Sequence, residues 1–184
     1  PVVPKDLAYL EGNLFDDYIA DMKLAQRFAH ENRIHIAKTI AEHMKWDFAE
    51  QFDSVHNYID TDAMILRKGA VRAAKDEKLV IPMNMRDGSL ICIGKGNADW
   101  NESAPHGAGR IYSRTAAMKN LSMDDFKETM KGIWTTSVSE ETLDEAPMAY
   151  KPMQEIVEQI DETVSIQKHV TPVYNFKASD KWKK

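Results

Sequence analysis

The sequence predicts an α+β fold in which mixed and antiparallel strands are flanked by helices. Apolar residues recur at helical spacing from Leu14 onward. Short extended runs separated by turn signals follow from Asp53, and later helix starts are marked at Ser122 and Pro152. No internal repeat or low-complexity linker divides the chain, so we expect a single unit. The predicted organisation is one unit over 1–184, helical over 1–46, strand-rich with an active-site loop over 53–110, and built of helices and a terminal strand over 111–184.

Composition limits the class of protein. The chain has 184 residues, 43% of them hydrophobic, which is enough to build a core. Its 24 basic and 29 acidic residues give a formal net charge of −5, which excludes a disordered tail, a collagen-like fibre and a histone-like basic protein. A nucleic-acid substrate is not excluded, because an acidic protein can concentrate Arg and Lys in one cleft.

Cysteine usage and hydropathy predict a cytoplasmic protein. Cys92 is the single cysteine, which rules out an internal disulfide and a multi-cysteine zinc site and favours a reducing compartment. The first residues lack a secretory pattern, and no apolar run approaches the roughly 18 residues of a membrane span. We therefore expect no membrane partner. Because the chain begins without methionine, we also expect that it was processed or cut.

Two helices are predicted at the start of the chain. The first runs from Leu14 to Ala29, with Asn13 as its N-cap. The second covers Ile36–Met44 and has an apolar face of its own.

Short strands are predicted next, because turn signals separate short extended runs of the chain. The predicted strands are Val55–Ile59, Met64–Leu66, Lys78–Ile81 and Ser89–Ile93. A glycine-containing loop then leads to His106, and a helix is expected after Arg110.

Helix signals return in the last third. The stretch Ser122–Asp125 is typical of a capping box, and Leu121 is placed to staple onto Phe126. Another helix is expected near Pro152, because proline suits the first helical position. A short extended run, Val170–Phe176, is predicted to close the fold.

His106 is the strongest candidate for chemistry. It follows Pro105 and precedes Gly-Ala-Gly, Arg110 and Arg114. Glycines let backbone approach a ligand closely, and two arginines one turn apart on a following helix suit phosphate. A histidine in this setting can serve as a metal ligand, a general acid or base, or a nucleophile toward phosphorus. The alternative is a tight loop with a buried histidine.

The other polar candidates have plainer alternatives. His56, on a predicted strand, either binds a metal or is satisfied by hydrogen bonds. Arg67, Lys68 and Arg72 form either a solvated loop or a phosphate-binding cluster. The remaining histidines, interpreted as surface or structural residues, are His30, His35, His43 and His169.

Five motifs follow one another along the chain. They are Val55-His56-Asn57-Tyr58, Arg67-Lys-Gly-Ala-Val-Arg72, Ser103-Ala-Pro-His-Gly-Ala-Gly-Arg110 with Ser113-Arg114, Glu145-Ala-Pro-Met-Ala-Tyr150, and the Pro172–Lys177 stretch. In order and spacing they resemble the RtcB family of RNA-splicing ligases, from about Leu7 to Lys177. The resemblance implies that this chain is the C-terminal portion of an RtcB-like ligase domain and part of a larger RtcB-like fold.

The resemblance implies an enzyme that acts in tRNA splicing and RNA repair. RtcB ligases join an RNA end carrying a 2′,3′-cyclic phosphate or 3′-phosphate to a 5′-hydroxyl end, with GTP and Mn²⁺ as cofactors. His106 matches the family histidine that attacks the α-phosphate of GTP and carries the guanylate. The guanylate then passes to the RNA 3′-phosphate, and the 5′-hydroxyl displaces GMP.

The resemblance also assigns roles to other residues. His56 is implied to be a manganese ligand. Residues implied to contact the guanine nucleotide are Ser89, Gly107, Ala108, Gly109, Arg110, Tyr150 and Lys177. Residues implied to hold RNA or nucleotide phosphates are Arg67, Lys68, Arg72, Arg110 and Arg114.

The same resemblance implies that the site is incomplete on this chain alone. The family's other manganese ligands belong to an N-terminal half without a counterpart here, and Cys92 is not one of them. We expect that half as a partner. The loop Met83–Gly88 also departs from the Gly-Ser-Met-Gly pattern of the family. Two alternatives remain: a catalytically silent fragment that binds RNA or nucleotide, and an enzyme of phosphoester hydrolysis or RNA-end repair.

Overall fold

The computed structural model describes residues 3–177 and divides into two compact units. The first comprises the chain up to Asp53 together with Tyr58–Arg67, and the second comprises Ser54–Asn57 and the chain from Lys68 onward. Helices and several small sheets make up these units, which confirms the predicted α+β class. Within the described residues, no helix is both long enough and apolar enough to cross a membrane.

One long helix, α1 (Asn13–Met44), dominates the first unit. The prediction of two helices was wrong, because no glycine or proline lies between Ala29 and Ile36 to interrupt the turn-by-turn hydrogen bonds. The N-cap is Gly12, so Asn13 is already inside the helix. The helix ends at Lys45, whose φ of 56° is left-handed.

The apolar residues of α1 lie mostly at the surface. Leu14, Leu24 and Phe28 are 67%, 70% and 72% exposed. Ala41 is the one buried residue of this helix, all of which is described. The periodic pattern therefore identified the helix correctly, but its apolar stripe is not packed against a core in this structure.

Polar side chains of α1 contact the rest of the first unit. The Gln26 amide donates to the carbonyl of Ile59 at 3.1 Å and accepts from its N–H at 2.7 Å. Asp53 accepts hydrogen bonds from Arg33 and lies 2.9 Å from the His30 Nδ1. The Arg33 hydrogen bond lowers the pKa of the Asp53 carboxyl, against the opposing effect of burial. His30 is therefore a structural residue with a partner.

Between α1 and residue 177, where the described part of the chain ends, the structure has nine short strands and three further α-helices. The strands are β1 (Asn57–Asp60), β2 (Ile65–Lys68), β3 (Ala70–Arg72), β4 (Lys78–Pro82), β5 (Ser89–Gly94), β6 (Ser103–Pro105), β7 (Trp134–Thr135), β8 (Val164–Val170) and β9 (Tyr174–Asn175). The helices are α2 (Arg114–Asn120), α3 (Met123–Thr129) and α4 (Met153–Ile160).

The central sheet of the second unit has the antiparallel order β4-β5-β8. Burial alternates along β5, where Leu90 and Cys92 point into the core. The sequence predicted β4 and β5 but missed β8, since only Val164 at its start is buried and most of the strand is exposed. The remaining sheets are the pairs β1-β2, β3-β6 and β7-β9, the last of which is parallel.

Two apolar clusters stabilise the second unit. In the first, α4 covers the β4-β5-β8 sheet and buries Ile156 and Ile160 among its side chains. In the second, Phe126 of α3 is fully buried, and Leu121 packs against the same cluster as the predicted staple requires. The Ser122 hydroxyl accepts from the first backbone N–H groups of α3, which confirms it as the N-cap.

Candidate active site

His106 lies at the end of a short strand pair that fixes its position. It directly follows β6, and the β3-β6 register places Pro105 opposite Ala70. Gly69, the residue before β3, therefore lies beside the imidazole, with its carbonyl oxygen 2.7 Å from Nδ1. The side chain of His106 remains exposed, so its other nitrogen is accessible to a ligand.

His56 and His106 are brought together, although 50 positions separate them in the numbering. Their rings stack with centroids 5.0 Å apart and an angle of 19° between the planes. Burial and the neighbouring His106 both lower the pKa of His56. This favours the neutral imidazole, the form that coordinates metals.

The glycine loop after His106 packs tightly on the end of β4. The Ala108 N–H donates to the carbonyl oxygen of Pro82 at 3.1 Å. A Cβ on Gly107 would lie 2.8 Å from the same oxygen, so a larger residue would have to displace the backbone there. Gly109 has a φ of 69°, which glycine adopts without strain. The loop is therefore held close to the strand.

A cavity of about 510 Å³ opens beside this loop. Such a volume falls in the range of about 300–1,000 Å³ that is typical of small-molecule sites. The lining combines His106, the glycine loop, Arg110, Tyr150 and Lys177 with several other residues. A second cavity of about 260 Å³ shares Pro82, Met83, Glu145, Tyr150 and Lys177 with it. Ser89 lines this second cavity.

Six of the seven residues predicted from the sequence to contact the nucleotide line the larger cavity, and the seventh, Ser89, lines the smaller one. Those six are Gly107, Ala108, Gly109, Arg110, Tyr150 and Lys177. The loop Met83–Gly88 contributes Met83, Asn84, Met85 and Gly88 to the smaller cavity. It is a tight turn, closed by the Met83 N–H donating to the Gly88 carbonyl at 2.8 Å.

Glu145 is the residue that the sequence reasoning missed. Its carboxylate accepts from Arg110 at 2.6 Å, from Arg114 at 2.8 Å, from the Tyr150 hydroxyl at 2.7 Å and from Lys177 at 3.2 Å. Four of the predicted ligand-binding side chains thus meet on one acid. The signal was present in the sequence, because Glu145 opens the Glu-Ala-Pro-Met-Ala-Tyr motif, from which only Tyr150 had been given a role.

The arginine pair is arranged differently from the prediction. Helix α2 begins at Arg114, so Arg110 precedes the helix. The backbone of Arg110 instead forms an isolated antiparallel β-bridge with that of Tyr150. The guanidinium of Arg110 also donates to the Asp144 carbonyl at 2.6 Å and lies 4.7 Å from the centre of the Tyr150 ring. Arg114 contacts the Asp144 carboxylate as well as Glu145. Both arginines therefore carry acidic partners already.

Charge and burial shift the acidities of this cluster in opposite directions. Burial alone would raise the pKa of Glu145, but hydrogen bonds from Tyr150 and Lys177 and the charge of Arg110 hold that pKa below its ordinary value. Burial and the adjacent carboxylate raise the pKa of Tyr150 to about 12. Glu145 is therefore an anion and Tyr150 a hydroxyl donor at neutral pH.

Replacing Glu145 by Gln is expected to destabilise the protein by about 2 kcal/mol at neutral pH, because hydrogen bonds to charged groups would be lost. The folded pKa of Glu145 lies below its unfolded value of about 4.5, so its ionisation stabilises the fold above that pH. That contribution disappears as the pH falls through the folded pKa. Between pH 7 and pH 3, the free energy of unfolding measured in urea should therefore fall less for Glu145→Gln than for the unsubstituted protein. The same pH dependence of the free energy of unfolding for Glu145→Gln and for the exposed control Glu155→Gln would contradict this.

The cationic cluster predicted beside a turn is spread over two strands. Arg67 lies in β2 with only 3% of its surface exposed, and its guanidinium donates to Asp60 and to the Tyr58 hydroxyl, each at 3.2 Å. It is thus a buried ion-paired residue of the first unit. Lys68 and Arg72 are exposed at the ends of β2 and β3.

Metal-binding groups are sparse in the described chain. Among residues 3–177, no three side chains of His, Cys, Asp or Glu lie close enough together to hold a metal ion. Cys92 is fully buried in β5, and burial raises the pKa of its thiol to about 11. His56 and His106 lie side by side, but two side chains do not make a complete metal site.

Comparison with known proteins shows which family has a similar sequence. The family model described as tRNA-splicing ligase RtcB matches residues 2–178. RNA-splicing ligase RtcB of Escherichia coli strain K12 is 32% identical over 83% of this chain and 42% of its own length. The tRNA-splicing ligase RtcB of Pyrobaculum aerophilum is 30% identical over 82% of this chain and 39% of its own length.

The chain thus spans about two fifths of the length of the curated relatives it matches. The matched region contains His56, His106, the glycine loop and the residues that meet on Glu145. Because the family model covers nearly the entire sequence, this chain belongs to the RtcB family of tRNA-splicing ligases.

Proposed function

We propose that this chain is the C-terminal portion of an RNA ligase that uses GTP and Mn²⁺ in the cytoplasm. The ligase would join RNA ends bearing a 2′,3′-cyclic phosphate or 3′-phosphate to 5′-hydroxyl ends, in tRNA splicing or RNA repair. The observation that carries this proposal is the position of His106 at a cavity of about 510 Å³ lined by a glycine loop and cationic side chains. Both units belong to the proposed ligase portion, since the family match extends over both.

His106 is the proposed nucleophile. Its free imidazole nitrogen attacks the α-phosphorus of GTP, an N–P bond forms, and the bond to pyrophosphate breaks. An end that carries a 2′,3′-cyclic phosphate must first be opened by water to the 3′-phosphate. An oxygen of the RNA 3′-phosphate then attacks the guanylate phosphorus, which breaks the N–P bond and restores the imidazole. Finally, the RNA 5′-hydroxyl attacks the activated phosphate and GMP leaves. The exposure of His106 supports this role, because the nucleophile must reach both GTP and RNA.

The lining of the two cavities supports a nucleotide as ligand. Backbone of the glycine loop can approach phosphate closely, while Tyr150 and Lys177 supply polar groups to the same lining. Ser89 extends this polar lining into the smaller cavity. Arg110 and Arg114 would meet phosphate by exchanging their present contacts with Glu145.

Exposed cations near the proposed site support RNA as the second substrate. Lys68 and Arg72 lie at the surface of β2 and β3, and the Arg114 side chain is 69% exposed. Arg67 would act indirectly, as a buried support for β2. Side chains of this kind contact RNA phosphates without reading base sequence.

Manganese requires more ligands than the described residues offer. We propose that His56 is one ligand and that the part of the relatives outside the matched region supplies the others, as an N-terminal half of the same ligase. Manganese would contribute charge neutralisation at the reacting phosphate.

His56→Ala is expected to weaken manganese binding by about tenfold or more, because a lost ligand or its orienting partner typically costs at least that much in metal affinity. Isothermal titration calorimetry with MnCl₂ measures this change. His35→Ala is the matched control, since His35 is a surface residue of α1. Equal manganese affinities for the two variants would show that His56 is not a manganese ligand.

One observation favours a second candidate function. Because residues 3–177 contain no group of three metal-binding side chains, the chain could bind nucleotide or RNA without covalent chemistry. This candidate predicts RNA binding that weakens steeply with salt and leaves the mass of the protein unchanged.

An intact mass spectrum after incubation with GTP and Mn²⁺ separates the two functions. A gain of one guanylate, transferable to RNA with a 3′-phosphate, is the result expected for the ligase. Binding of radiolabelled GTP without a change in mass would favour the silent module instead. Ring opening of a cyclic-phosphate RNA without joining would indicate phosphoester hydrolysis.

A further inference from the structure

The hydrogen bond between His106 and Gly69 defines where the imidazole proton resides. A carbonyl oxygen can only accept, so at 2.7 Å from the Gly69 oxygen the Nδ1 atom must be the donor. In a neutral imidazole only one nitrogen carries hydrogen. The lone pair of neutral His106 is therefore on Nε2.

The carbonyl of Gly69 is itself held in place from two sides. On one side, the backbone N–H of Gly69 donates to the His56 carbonyl and to the Asn57 side-chain oxygen, each at 3.0 Å. On its other side, Ala70 begins β3 and pairs with Pro105, the residue before His106. The acceptor and the imidazole are thus carried by the same strand pair, which keeps their separation constant.

Only glycine fits this position without strain. Gly69 has a φ of 69°, in the left-handed region that other residues rarely adopt. A Cβ built there would contact Cε1 and Nδ1 of His106, both at 3.5 Å. Those distances are ordinary van der Waals contacts, so the effect of a substitution comes from the positive φ: relief of the backbone strain would tilt the carbonyl away from Nδ1 without removing any group of the cavity lining.

We propose that Gly69 is a positioning residue, whose carbonyl holds His106 in the tautomer that leaves Nε2 free to attack phosphorus. This gives the glycine of the Arg67-Lys-Gly-Ala motif a role distinct from the cationic side chains around it. The attack on phosphorus rests on the proposed function, whereas the tautomer does not depend on it.

Nitrogen NMR of protein labelled with ¹⁵N-histidine tests the tautomer directly. Spectra are recorded at about pH 8.5, well above the ordinary pKa of imidazole, and His106 is assigned by comparison with His106→Gln. The expected signature is a protonated Nδ1 and an unprotonated Nε2. A proton on Nε2 in the unsubstituted protein would overturn the proposal without any variant.

Gly69→Ala supplies the second measurement, with Gly132→Ala as its control. Gly132 also has a positive φ, of 87°, but a Cβ there would have no neighbour within 4 Å, so it reproduces the backbone strain alone. Gly69→Ala should give a mixture of tautomers and slow guanylate transfer from GTP to His106 about tenfold, as for the loss of one hydrogen bond. Gly132→Ala should change neither. An unchanged tautomer in Gly69→Ala would refute the role of Gly69.

The two readouts separate this proposal from the proposed function. If His106 has the expected tautomer but the unsubstituted protein gains no guanylate even when the N-terminal half is supplied, then the ligase assignment fails and the tautomer assignment holds. If the protein gains guanylate while Nε2 carries the proton, then the ligase assignment holds and the tautomer assignment fails.

Discussion

His106→Ala is expected to abolish the covalent guanylate adduct, leaving no gain of mass after incubation with GTP and Mn²⁺. Alanine offers no nucleophile, and removal of a covalent catalytic group typically costs several orders of magnitude in rate. The measurement is intact mass spectrometry followed by fragmentation to locate the modified residue. His35→Ala, at the surface of α1, should retain the adduct in full.

The stacked pair makes the location of the adduct decisive. His56 is the nearest competing imidazole, with its ring centroid 5.0 Å from that of His106. An adduct that survives His106→Ala, or that maps to His56 in the unsubstituted protein, would overturn the assignment of the nucleophile. Loss of the adduct in His56→Ala as well would not, because that result is also expected if His56 orients a metal.

Phe126→Ala should destabilise the second unit by about 3–5 kcal/mol, the usual effect of removing a large core side chain. Phe126 is fully buried between α3 and the segment that carries Leu143, Ala146 and, between them, Glu145. The cavity left behind would loosen the support of the acid on which four ligand-binding side chains meet. Urea unfolding monitored by circular dichroism measures the change in stability.

The matched control for that experiment is Phe176→Ala, the same chemical change at a side chain that is 68% exposed. It should alter stability by no more than about 0.5 kcal/mol. Equal effects at the two positions would mean that the Phe126 cluster is not a core.

Much of the candidate site could be predicted from the sequence because its residues occur in compact motifs. The glycine loop, His106 and Tyr150 each belong to a motif to which the family resemblance assigns a role, and the structure brings all three to one cavity. Their mutual distances could not be predicted. The contact of His56 with His106 depends on two tertiary features: the β3-β6 pair places Gly69 beside His106, and the Gly69 N–H donates to the His56 carbonyl. Strands β3 and β6 have three residues each and are too short to show a period.

The errors in the predicted fold have physical causes as well. Two helices were predicted where α1 is continuous, since sparse apolar residues between Ala29 and Ile36 resemble a break although nothing there disrupts a helix. Strand β8 was missed because an exposed strand lacks the apolar alternation of a buried one. Glu145 was overlooked because an acidic residue in a phosphate-binding setting has a clear role only once its cationic neighbours are known.

The buried thiol of Cys92 can report unfolding of the central sheet through its chemical reactivity. Thiol-labelling reagents react with the thiolate, and at neutral pH that form is suppressed by a pKa of about 11 as well as by complete burial in the central sheet. Since Cys92 is the only cysteine, every labelled molecule has opened that sheet. Maleimide modification counted by mass would therefore report how often the β4-β5-β8 sheet opens, without any engineered probe.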